Sequence, residues 1–240
     1  HILKFGGSSI SNVKNISKVK SIIQSEYCKN PKTAVVVSAF YGITDKIIET
    51  IMYAKKGDKK SMDKNLSDMI YVHKNISRRL RASYTNKVID YTFNSVNREF
   101  EEILDTKEIT LKNSDKIVSI GEKLSATIIS SSENNYKYVD DIIITNEKYG
   151  SATPIMNATY NICNLKINDS FLQGKIPIIP GFIGRTLNGE ITTLGRNGSD
   201  LTATIVGHCA DAKDISFYKV ECTPDGEWKK GLIGIVCSNK

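Results

Sequence analysis

The sequence predicts an α/β fold in which helices pack against a mainly parallel β-sheet. Residues 2–5 form a short apolar strand, residues 13–23 carry a helical pattern, and residues 33–38 form a second strand. A strand, a helix and a strand at this spacing make a βαβ unit, which joins two parallel strands. The run at 33–38, TAVVVS, is apolar and β-branched without alternation, which is typical of a strand buried on both faces.

The helices are predicted from their periodicity. In the first helix, apolar residues recur every three or four positions from Val13 to Ile23, and either Ser9 or Ser11 is expected to be the N-cap. The stretch from about residue 44 to residue 132 is rich in Lys, Glu and spaced Ile and Leu, and it contains no proline. It predicts several helices that pack on one side of the sheet.

Strands are expected again later in the chain, at residues 138–140, 142–144, 176–179 and 215–218. Pro177 indicates a strand start or a sheet edge, because proline lacks the N–H that a ladder needs. Residues 187–190, LNGE, predict a hairpin with a type I′ turn, in which both central residues have a positive φ. An apolar helix through Ala203, Ile205 and Val206 is expected after it.

The net charge of the chain is compatible with several classes of partner. The 240 residues include 33 Lys and Arg against 26 Asp and Glu, a net charge of +7 that could attract nucleic acid, membrane phosphates or small anions. No basic run is interleaved with aromatic residues, as a nucleic-acid platform requires. No apolar run approaches the ~18 residues of a membrane span, and no signal-peptide pattern opens the sequence. We therefore expect a cytoplasmic protein that binds neither nucleic acid nor membrane.

The cysteines and histidines show no metal-binding pattern. The five cysteines are odd in number and widely spaced, and we expect reduced thiols at Cys28, Cys163, Cys209, Cys222 and Cys237. The three histidines, His1, His73 and His208, share no ligand spacing with one another or with acidic residues. No metal site is predicted.

Two glycine-containing turns are candidate anion sites. Residues 6–9, GGSS, and residues 195–200, GRNGSD, each precede a predicted helix, so that free backbone N–H groups and the positive end of a helix dipole would meet there. The alternative is a tight connection to a capped helix. Neither turn has the spacing of a Walker A or a dinucleotide-binding motif.

Three charged residues in these contexts could carry chemistry. Lys4 lies between apolar residues of the first strand and could face a bound phosphate, or it could be an edge-strand lysine that faces water. Glu122 lies in an apolar helix and could bind an ammonium group, or it could be exposed. Arg196 could clamp a carboxylate or form a surface salt bridge. Together these groups suit phosphoryl transfer to a small charged acceptor.

Four segments, in this order, resemble the aspartokinases of the amino acid kinase family. They are residues 4–9 (KFGGSS), 36–45 (VVSAFYGITD), 119–125 (SIGEKLS) and 181–200 (GFIGRTLNGEITTLGRNGSD). The resemblance covers roughly residues 2–219. It implies a three-layer αβα sandwich, with an amino acid kinase domain over residues 1–219 and a helical insertion at about 44–132.

The resemblance also implies a role for each matching residue. Lys4 and Asp200 would be catalytic, with Lys4 at the transferring phosphoryl group and Asp200 orienting it. The nucleotide phosphates would be bound by Lys4, Gly6, Gly7, Ser8 and Lys219. The substrate would be bound by Ser38, Thr44, Glu122 (α-ammonium), Phe182, Arg196 (α-carboxylate) and Ser199.

The implied reaction is ATP-dependent, Mg²⁺-assisted phosphorylation of the β-carboxylate of L-aspartate to 4-phospho-L-aspartate. In the family this is the first step toward lysine, threonine and methionine, and the resemblance implies a homo-oligomer. The acceptor carboxylate is already ionised at pH 7, so the reaction needs positioning and charge neutralisation and no general base.

Two departures from the family pattern define the alternatives. Asn197 stands where the family usually has Gly, and Asn tolerates the left-handed conformation. After Lys219 the family's nucleotide-loop segments do not follow, so that residues 220–240 are either a remnant of the nucleotide lobe or the strand that leads into a regulatory ACT domain. The alternatives are a non-catalytic aspartate-binding or regulatory remnant and another member of the family, such as a glutamate kinase.

Overall fold

The computed structural model describes residues 1–220 and 228–234. Its helices are α1 (Val13–Lys29), α2 (Ile43–Lys56), α3 (Lys59–Arg79), α4 (Asn86–Thr106), α5 (Leu111–Val118), α6 (Ile120–Ser130), α7 (Met156–Leu172) and α8 (Gly198–Cys209). Its strands are β1 (Ile2–Phe5), β2 (Ala34–Val37), β3 (Tyr136–Tyr138), β4 (Ile144–Thr145), β5 (Ile176–Pro180), β6 (Ile183–Thr186), β7 (Ile191–Thr193), β8 (Asp214–Val220) and β9 (Trp228–Gly234).

The main sheet has six strands in the order β3-β5-β2-β1-β8-β9. The first five are mutually parallel, and β9 pairs antiparallel with β8 at one edge. The predicted mainly parallel sheet is therefore confirmed. β1 is an interior strand, with β2 on one side and β8 on the other.

Helices cover both faces of the sheet, as the αβα prediction requires. Successive residues of a strand point to opposite faces. Leu3 and Val35 accordingly pack in one core with α1 and with α2 to α6. Ile2 and Val36 pack in a second core with α7 and α8. The helical stretch predicted after the second strand is thus observed as five helices on one side.

The small second sheet consists of β4, β6 and β7. β6 and β7 form an antiparallel hairpin, and β4 runs parallel to β6. The chain leaves β7 through a short loop and enters α8, so this sheet positions the amino end of that helix.

The hairpin is confirmed, but its predicted type I′ turn is wrong. Thr186 and Glu190 enclose a three-residue loop, with the amide of Thr186 bonded to the carbonyl of Glu190 (2.8 Å) and that of Gly189 to the carbonyl of Thr186 (3.0 Å). Gly189 has a φ of 85°, whereas Asn188 is not among the residues with positive φ. In this three-residue loop, one residue with a positive φ after the tight turn is enough for the two strands to pair. Asn188 therefore does not need a positive φ.

Two other local predictions need correction. The N-cap of α1 is Asn12, whose side chain accepts from the amide of Asn15 (2.9 Å), because a 3₁₀ turn at Gly7–Ile10 occupies the residues expected to start the helix. Pro177 lies in an interior strand, so the sheet-edge alternative is wrong. It precedes Ile178, where pairing with β2 begins, and its missing N–H therefore leaves that ladder intact.

The strands expected at 138–140 and 142–144 are displaced to β3 and β4. Asp141 has a φ of 52° and its carboxylate accepts from Arg185 Nε (2.7 Å), so the chain turns between the two strands. The predicted boundary at residue 219 lies next to residues 221–227, which are outside the described residues, and the division into domains stays a prediction. Among the described helices, none is long and apolar enough to cross a bilayer.

Candidate active site

A cavity of about 270 Å³ lies beside the amino end of α8. Side chains and backbone from β1, the loop after β2, α2, α6, the β5–β6 turn and the start of α8 meet there. The lining residues are Lys4, Ser38, Thr44, Glu122, Phe182, Gly195, Asn197, Gly198, Ser199 and Asp200. The fold thus brings together residues that lie almost two hundred positions apart in the sequence.

Lys4 is the cation of this cavity. It lies in an interior strand and its side chain is only 11% exposed, so the edge-strand alternative is wrong. Its Nζ lies 2.6 Å from Oδ1 of Asp200, in the first turn of α8. A buried ammonium group needs an anionic partner. The half-exposed carboxylate of Asp200 provides one and fixes the ammonium group at the cavity wall.

Glu122 is a buried carboxylate with a free acceptor. The residue is 4% exposed, so the expectation of an exposed helical Glu is wrong. Burial raises its pKa to about 7, and the amide of Ala39 and the charge of Lys4 oppose that shift. Within the described part of the chain, Oε2 has no hydrogen-bond partner. A carboxylate in this state is suited to a ligand that brings its own positive charge.

Gly121 and Ser125 fix Glu122 against the loop after β2. A Cβ on Gly121 would lie 3.0 Å from Cβ of Ala39, so only glycine lets α6 approach this closely. Ser125 Oγ donates to the carbonyl of Ser38 (2.6 Å). These contacts place Ser38, and Thr44 in the first turn of α2, on the same side of the cavity as Glu122.

The β5–β6 turn and the start of α8 are in direct backbone contact. A Cβ on Gly181 would lie 2.6 Å from Cβ of Ser199, and a Cβ on Gly198 would lie 2.5 Å from Cδ2 of Phe182. Phe182 has a φ of 70°, and its amide donates to Thr202 Oγ1 (2.9 Å), which in turn donates to the carbonyl of Gly198 (2.9 Å). The cavity wall that contains Phe182 is therefore held in one conformation.

Asn197 precedes α8 with a φ of 57°. The sequence-based expectation that Asn tolerates a left-handed conformation at this position is confirmed. The next three residues, Gly198 to Asp200, form the first turn of α8, a helix of 12 residues. Their amides therefore lie at the positive end of the helix dipole, which is the end that lines the cavity.

Five predicted site residues do not line the cavity: Gly6, Gly7, Ser8, Arg196 and Lys219. The turn at residues 6–8 is nevertheless adjacent, since a Cβ on Gly6 would lie 3.6 Å from Nζ of Lys4. Residues 6–8 lead into the 3₁₀ turn Gly7–Ile10 and not directly into α1. The prediction that a helix dipole contributes to an anion site at this turn is therefore wrong. No described backbone carbonyl accepts from the amides of Gly7 and Ser8, so both amides are available to an anion.

Arg196 and Lys219 are exposed. Arg196 lies between two lining residues, Gly195 and Asn197, at the mouth of the cavity. No ion pair of Arg196 is found among the described residues, so the surface-salt-bridge alternative has no support there. The predicted roles of both residues stay predictions.

Sequence reasoning missed several residues of the site. Gly195, Asn197 and Gly198 also line the cavity, and they lie in a segment already singled out. It also missed Asp115, a carboxylate only 3% exposed that bonds to the residues behind the cavity wall. No local signal singled it out, because Asp115 lies among polar residues in the segment LKNSDKIV.

No described cluster of three or more His, Cys, Asp or Glu side chains could hold a metal ion. Cys28, Cys163 and Cys209 are free thiols, as expected, and Cys222 and Cys237 lie outside the described residues. His73 is fully buried between Phe40 and Phe93, far from a ligand set.

Comparisons with known proteins agree with this architecture. The sequence profile of the amino acid kinase family matches residues 1–220. The chain is 28% identical over 230 residues to an aspartokinase of Chlamydia trachomatis, covering 92% of this chain and 48% of that protein. It is 30% identical over 224 residues to a bifunctional aspartokinase/homoserine dehydrogenase of Buchnera aphidicola, covering 88% of this chain and 27% of that protein.

A solved structure shares the fold. The crystal structure of E. coli aspartokinase III in complex with aspartate and ADP superposes with a TM-score of 0.81, at 24% sequence identity, over 90% of this chain and 48% of that one. The chain therefore spans about half the length, or less, of the relatives it matches.

Proposed function

This chain belongs to the amino acid kinase family, and from that premise we propose that it phosphorylates the β-carboxylate of L-aspartate with ATP. The product would be 4-phospho-L-aspartate, a precursor of lysine, threonine and methionine. The proposal includes Mg²⁺ bound to the nucleotide, a cytoplasmic location and a homo-oligomer.

The observation that carries the proposal is the pair of opposite charges in one small cavity. Glu122 offers a buried carboxylate oxygen without a described partner, and Lys4 offers an ammonium group held by Asp200. A ligand that fits must bring a positive charge to Glu122 and a negative charge toward Lys4. An amino acid with a second carboxylate meets both conditions, and a cavity of about 270 Å³ suits its size.

The residues of the cavity then account for the transfer. An oxygen of the substrate β-carboxylate attacks the γ-phosphorus of ATP, the bond from that phosphorus to the β,γ-bridging oxygen breaks, and ADP leaves with the electron pair. Lys4 neutralises negative charge on the phosphoryl group in transit, and Asp200 keeps its ammonium group in place. The amides of Gly7 and Ser8 bind nucleotide phosphate oxygens. Mg²⁺ would be held by the phosphates of the nucleotide and would supply further neutralisation of their charge.

A second candidate function is supported by the lining of the cavity. Four of the five predicted phosphate-binding residues, Gly6, Gly7, Ser8 and Lys219, do not line it, which favours a module that binds aspartate without phosphorylating it. The two functions share the cavity and differ only in the use of ATP, so that one experiment separates them.

The test measures ADP release by the purified protein with L-aspartate, ATP and Mg²⁺, and traps the acyl phosphate as a hydroxamate. We expect aspartate-dependent hydroxamate, reduced about 10²-fold or more in Lys4→Met, because the charge opposite the phosphoryl group is lost. Arg196→Ala should raise the KM for aspartate far more than that for ATP. Lys87→Met, at an exposed lysine of α4, is the matched control and should be unaffected.

Calorimetric titration with L-aspartate completes the test. Aspartate binding without ADP release would support the binding module and contradict the kinase. A protein that neither binds aspartate nor releases ADP in its presence contradicts both functions.

A further inference from the structure

Asp115 is a buried carboxylate that lies outside the cavity and is fully used in hydrogen bonds. Its Oδ2 accepts from the amides of Gly150 (2.9 Å) and Thr193 (2.9 Å), and its Oδ1 accepts from Thr193 Oγ1 (2.7 Å). The residue is 3% exposed, and no described Lys, Arg or His forms an ion pair with it. A buried carboxylate is unfavourable unless its acceptors are satisfied, and here backbone and hydroxyl donors satisfy them.

These bonds hold the support of one cavity wall. Thr193 ends β7, and its carbonyl accepts from the amide of Ala152 (2.8 Å), which joins it to the segment that contains Gly150. Gly195 follows two residues later with a φ of 74°, and a Cβ there would lie 3.5 Å from the carbonyl oxygen of Gly150. Gly195 is the first residue of the wall that continues through Ser199. Asp115 thus anchors both segments on which this wall rests.

Glu122, which also lines the cavity, is attached to the same helical element. Asp115 lies on α5 and Glu122 on α6, and the single residue between these helices, Ser119, keeps helical dihedral angles (φ −62°, ψ −19°). The amide of Ser119 bonds to the carbonyl of Asp115 (3.0 Å), and the amide of Lys123 bonds to the carbonyl of Ser119 (3.2 Å). Seven residues of nearly continuous helix separate Asp115 from Glu122 by about 10 Å along the axis.

We propose that Asp115 is a positioning residue that fixes the distance between Glu122 and the Gly195–Ser199 wall, and that it thereby selects substrates by the length of their side chain. The inference rests on the proposed function, since it concerns the amino acid held in that cavity. One rigid element carries Glu122 and, through Asp115, the Gly195–Ser199 wall. With the spacing fixed, aspartate should bind more tightly than glutamate, which is one methylene longer.

The experiment compares three versions of residue 115 by calorimetric titration with L-aspartate and, separately, with L-glutamate. Asp115→Ala removes all three bonds. Asp115→Asn is the conservative variant, because its amide oxygen can accept from both backbone amides while its NH₂ group donates to Thr193 Oγ1. We expect Asp115→Ala to weaken aspartate binding about tenfold or more and to bring the aspartate-to-glutamate affinity ratio toward one. Asp115→Asn should restore both to within about threefold of wild type.

A merely structural role is distinguished in the same titrations. Unfolded protein lowers the number of binding sites per chain, whereas a displaced wall changes the dissociation constant and the selectivity of the sites that remain. Asp58→Ala is the matched control, because Asp58 accepts from the amide of Ser61 (3.0 Å) as the N-cap of α3, away from the cavity. It should lower stability and leave the affinity ratio unchanged. If Asp115→Ala does not fold, Thr193→Val removes one bond and should shift the ratio in the same direction.

Each possible result of these titrations supports or overturns the inference about Asp115. A wild-type affinity ratio in Asp115→Ala, or in Thr193→Val where that variant replaces it, overturns the inference alone. Equal losses in Asp115→Asn and Asp115→Ala also overturn it, since the charge and not the hydrogen-bonded geometry would then be responsible. Wild-type protein that binds neither amino acid overturns the proposed function, and the inference with it.

Discussion

Burial changes the protonation of two single residues in opposite directions. Glu122 and His73 are both buried, and in each case the low-dielectric surroundings disfavour the charged form. The pKa of the Glu122 carboxyl is raised to about 7, and the pKa of the His73 imidazole is lowered to about 4. At the residue scale, the first shift bears on the binding of ligands and the second on stability.

Ligand affinity should depend on pH through Glu122. If the ionised carboxylate binds the ammonium group of the ligand, affinity rises as pH passes upward through about 7, because Glu122 loses its proton there. Between pH 6 and pH 8 the ionised fraction increases about tenfold, and the dissociation constant for L-aspartate should fall by about the same factor. Calorimetric titration at the two pH values measures this change.

Glu122→Gln is the control for that prediction. The substituted amide does not titrate, so the variant should bind weakly and with the same affinity at pH 6 and pH 8. An equally steep pH dependence in Glu122→Gln would assign the titration to a group other than Glu122. Wild-type affinity that does not change with pH would contradict the placement of the ammonium group at Glu122.

The sequence identified the charged residues of the cavity but not their surroundings. Lys4 and Glu122 were singled out by their apolar neighbours, and the structure places both at one cavity. Whether each is buried depends on which elements cover it. Lys4 lies in an interior strand because β8 pairs with β1 over a separation of more than two hundred residues, and no local pattern contains that information.

At the element scale, the contact between the β5–β6 turn and α8 should tolerate no added atom. In Gly181→Ala the new Cβ would lie 2.6 Å from Cβ and 2.9 Å from Cα of Ser199, so that the amino end of α8 must move. We expect a loss of about 1–3 kcal/mol in the free energy of unfolding and at least tenfold weaker L-aspartate binding. Urea denaturation and calorimetric titration measure the two effects.

Gly174→Ala is the matched control for Gly181→Ala. Gly174 has a φ of 63° with no atom within 4 Å of the added Cβ, and it lies at the end of α7, away from the cavity. Backbone strain should lower its stability by about 1 kcal/mol. Its ligand affinity should equal that of wild type. If both alanine variants bind aspartate normally, the turn does not control the cavity wall.

Elements were predictable where the pattern is local and long. The helices α1 to α6 follow from apolar periodicity, and β2 follows from its unbroken β-branched run. Details that depend on one residue's dihedral angles were not predictable, as the Gly189 turn and the Asn12 cap show. Asp115 illustrates a further limit, because its partner Thr193 lies 78 residues away and only the folded chain joins them.

At the scale of the whole molecule, His73 should make the fold sensitive to acid. Its ring is enclosed by Phe40 and Phe93, and Nε2 has no hydrogen-bond partner among the described residues. With a folded-state pKa of about 4 against 6.5 in the unfolded chain, the unfolded state binds a proton first as pH falls. The stability associated with neutral His73 is complete above pH 6.5 and is lost toward pH 4, with about 2 kcal/mol lost by pH 5.

Urea midpoints at pH 7 and pH 5 check this prediction. Replacement of His73 by Leu removes the titrating group, so the midpoint of His73→Leu should fall less between these pH values than that of wild type. The stability of His73→Leu at pH 7 is not compared with that of wild type, because the substitution also changes the packing around residue 73. His208→Leu, at an exposed position, should retain the wild-type pH dependence. Parallel pH profiles for wild type and His73→Leu would contradict the prediction.

The need for cover on both faces of the sheet was predictable from composition, whereas the three-layer sandwich was implied by the resemblance to the amino acid kinase family. A strand that is apolar on both faces requires cover on both faces, and the helical stretches supply it. The order of the strands was not predictable from the residues themselves, since β8 pairs with β1 only after the last described helix. That order determines which charged residues become neighbours.

The position of β1 has a consequence for how the protein matures. Ile2 pairs with Ile215, and the carbonyl of Tyr218 accepts from Ser9 Oγ (2.9 Å), so the earliest strand receives its second neighbour from nearly the last described part of the chain. Contacts of this sequence separation close late in folding, because the intervening chain must first be ordered or looped out. A growing polypeptide would therefore carry its helical layer before it carries a ligand pocket. Occupancy of that pocket would report that synthesis has passed the start of α8, because Ser199 and Asp200 line it.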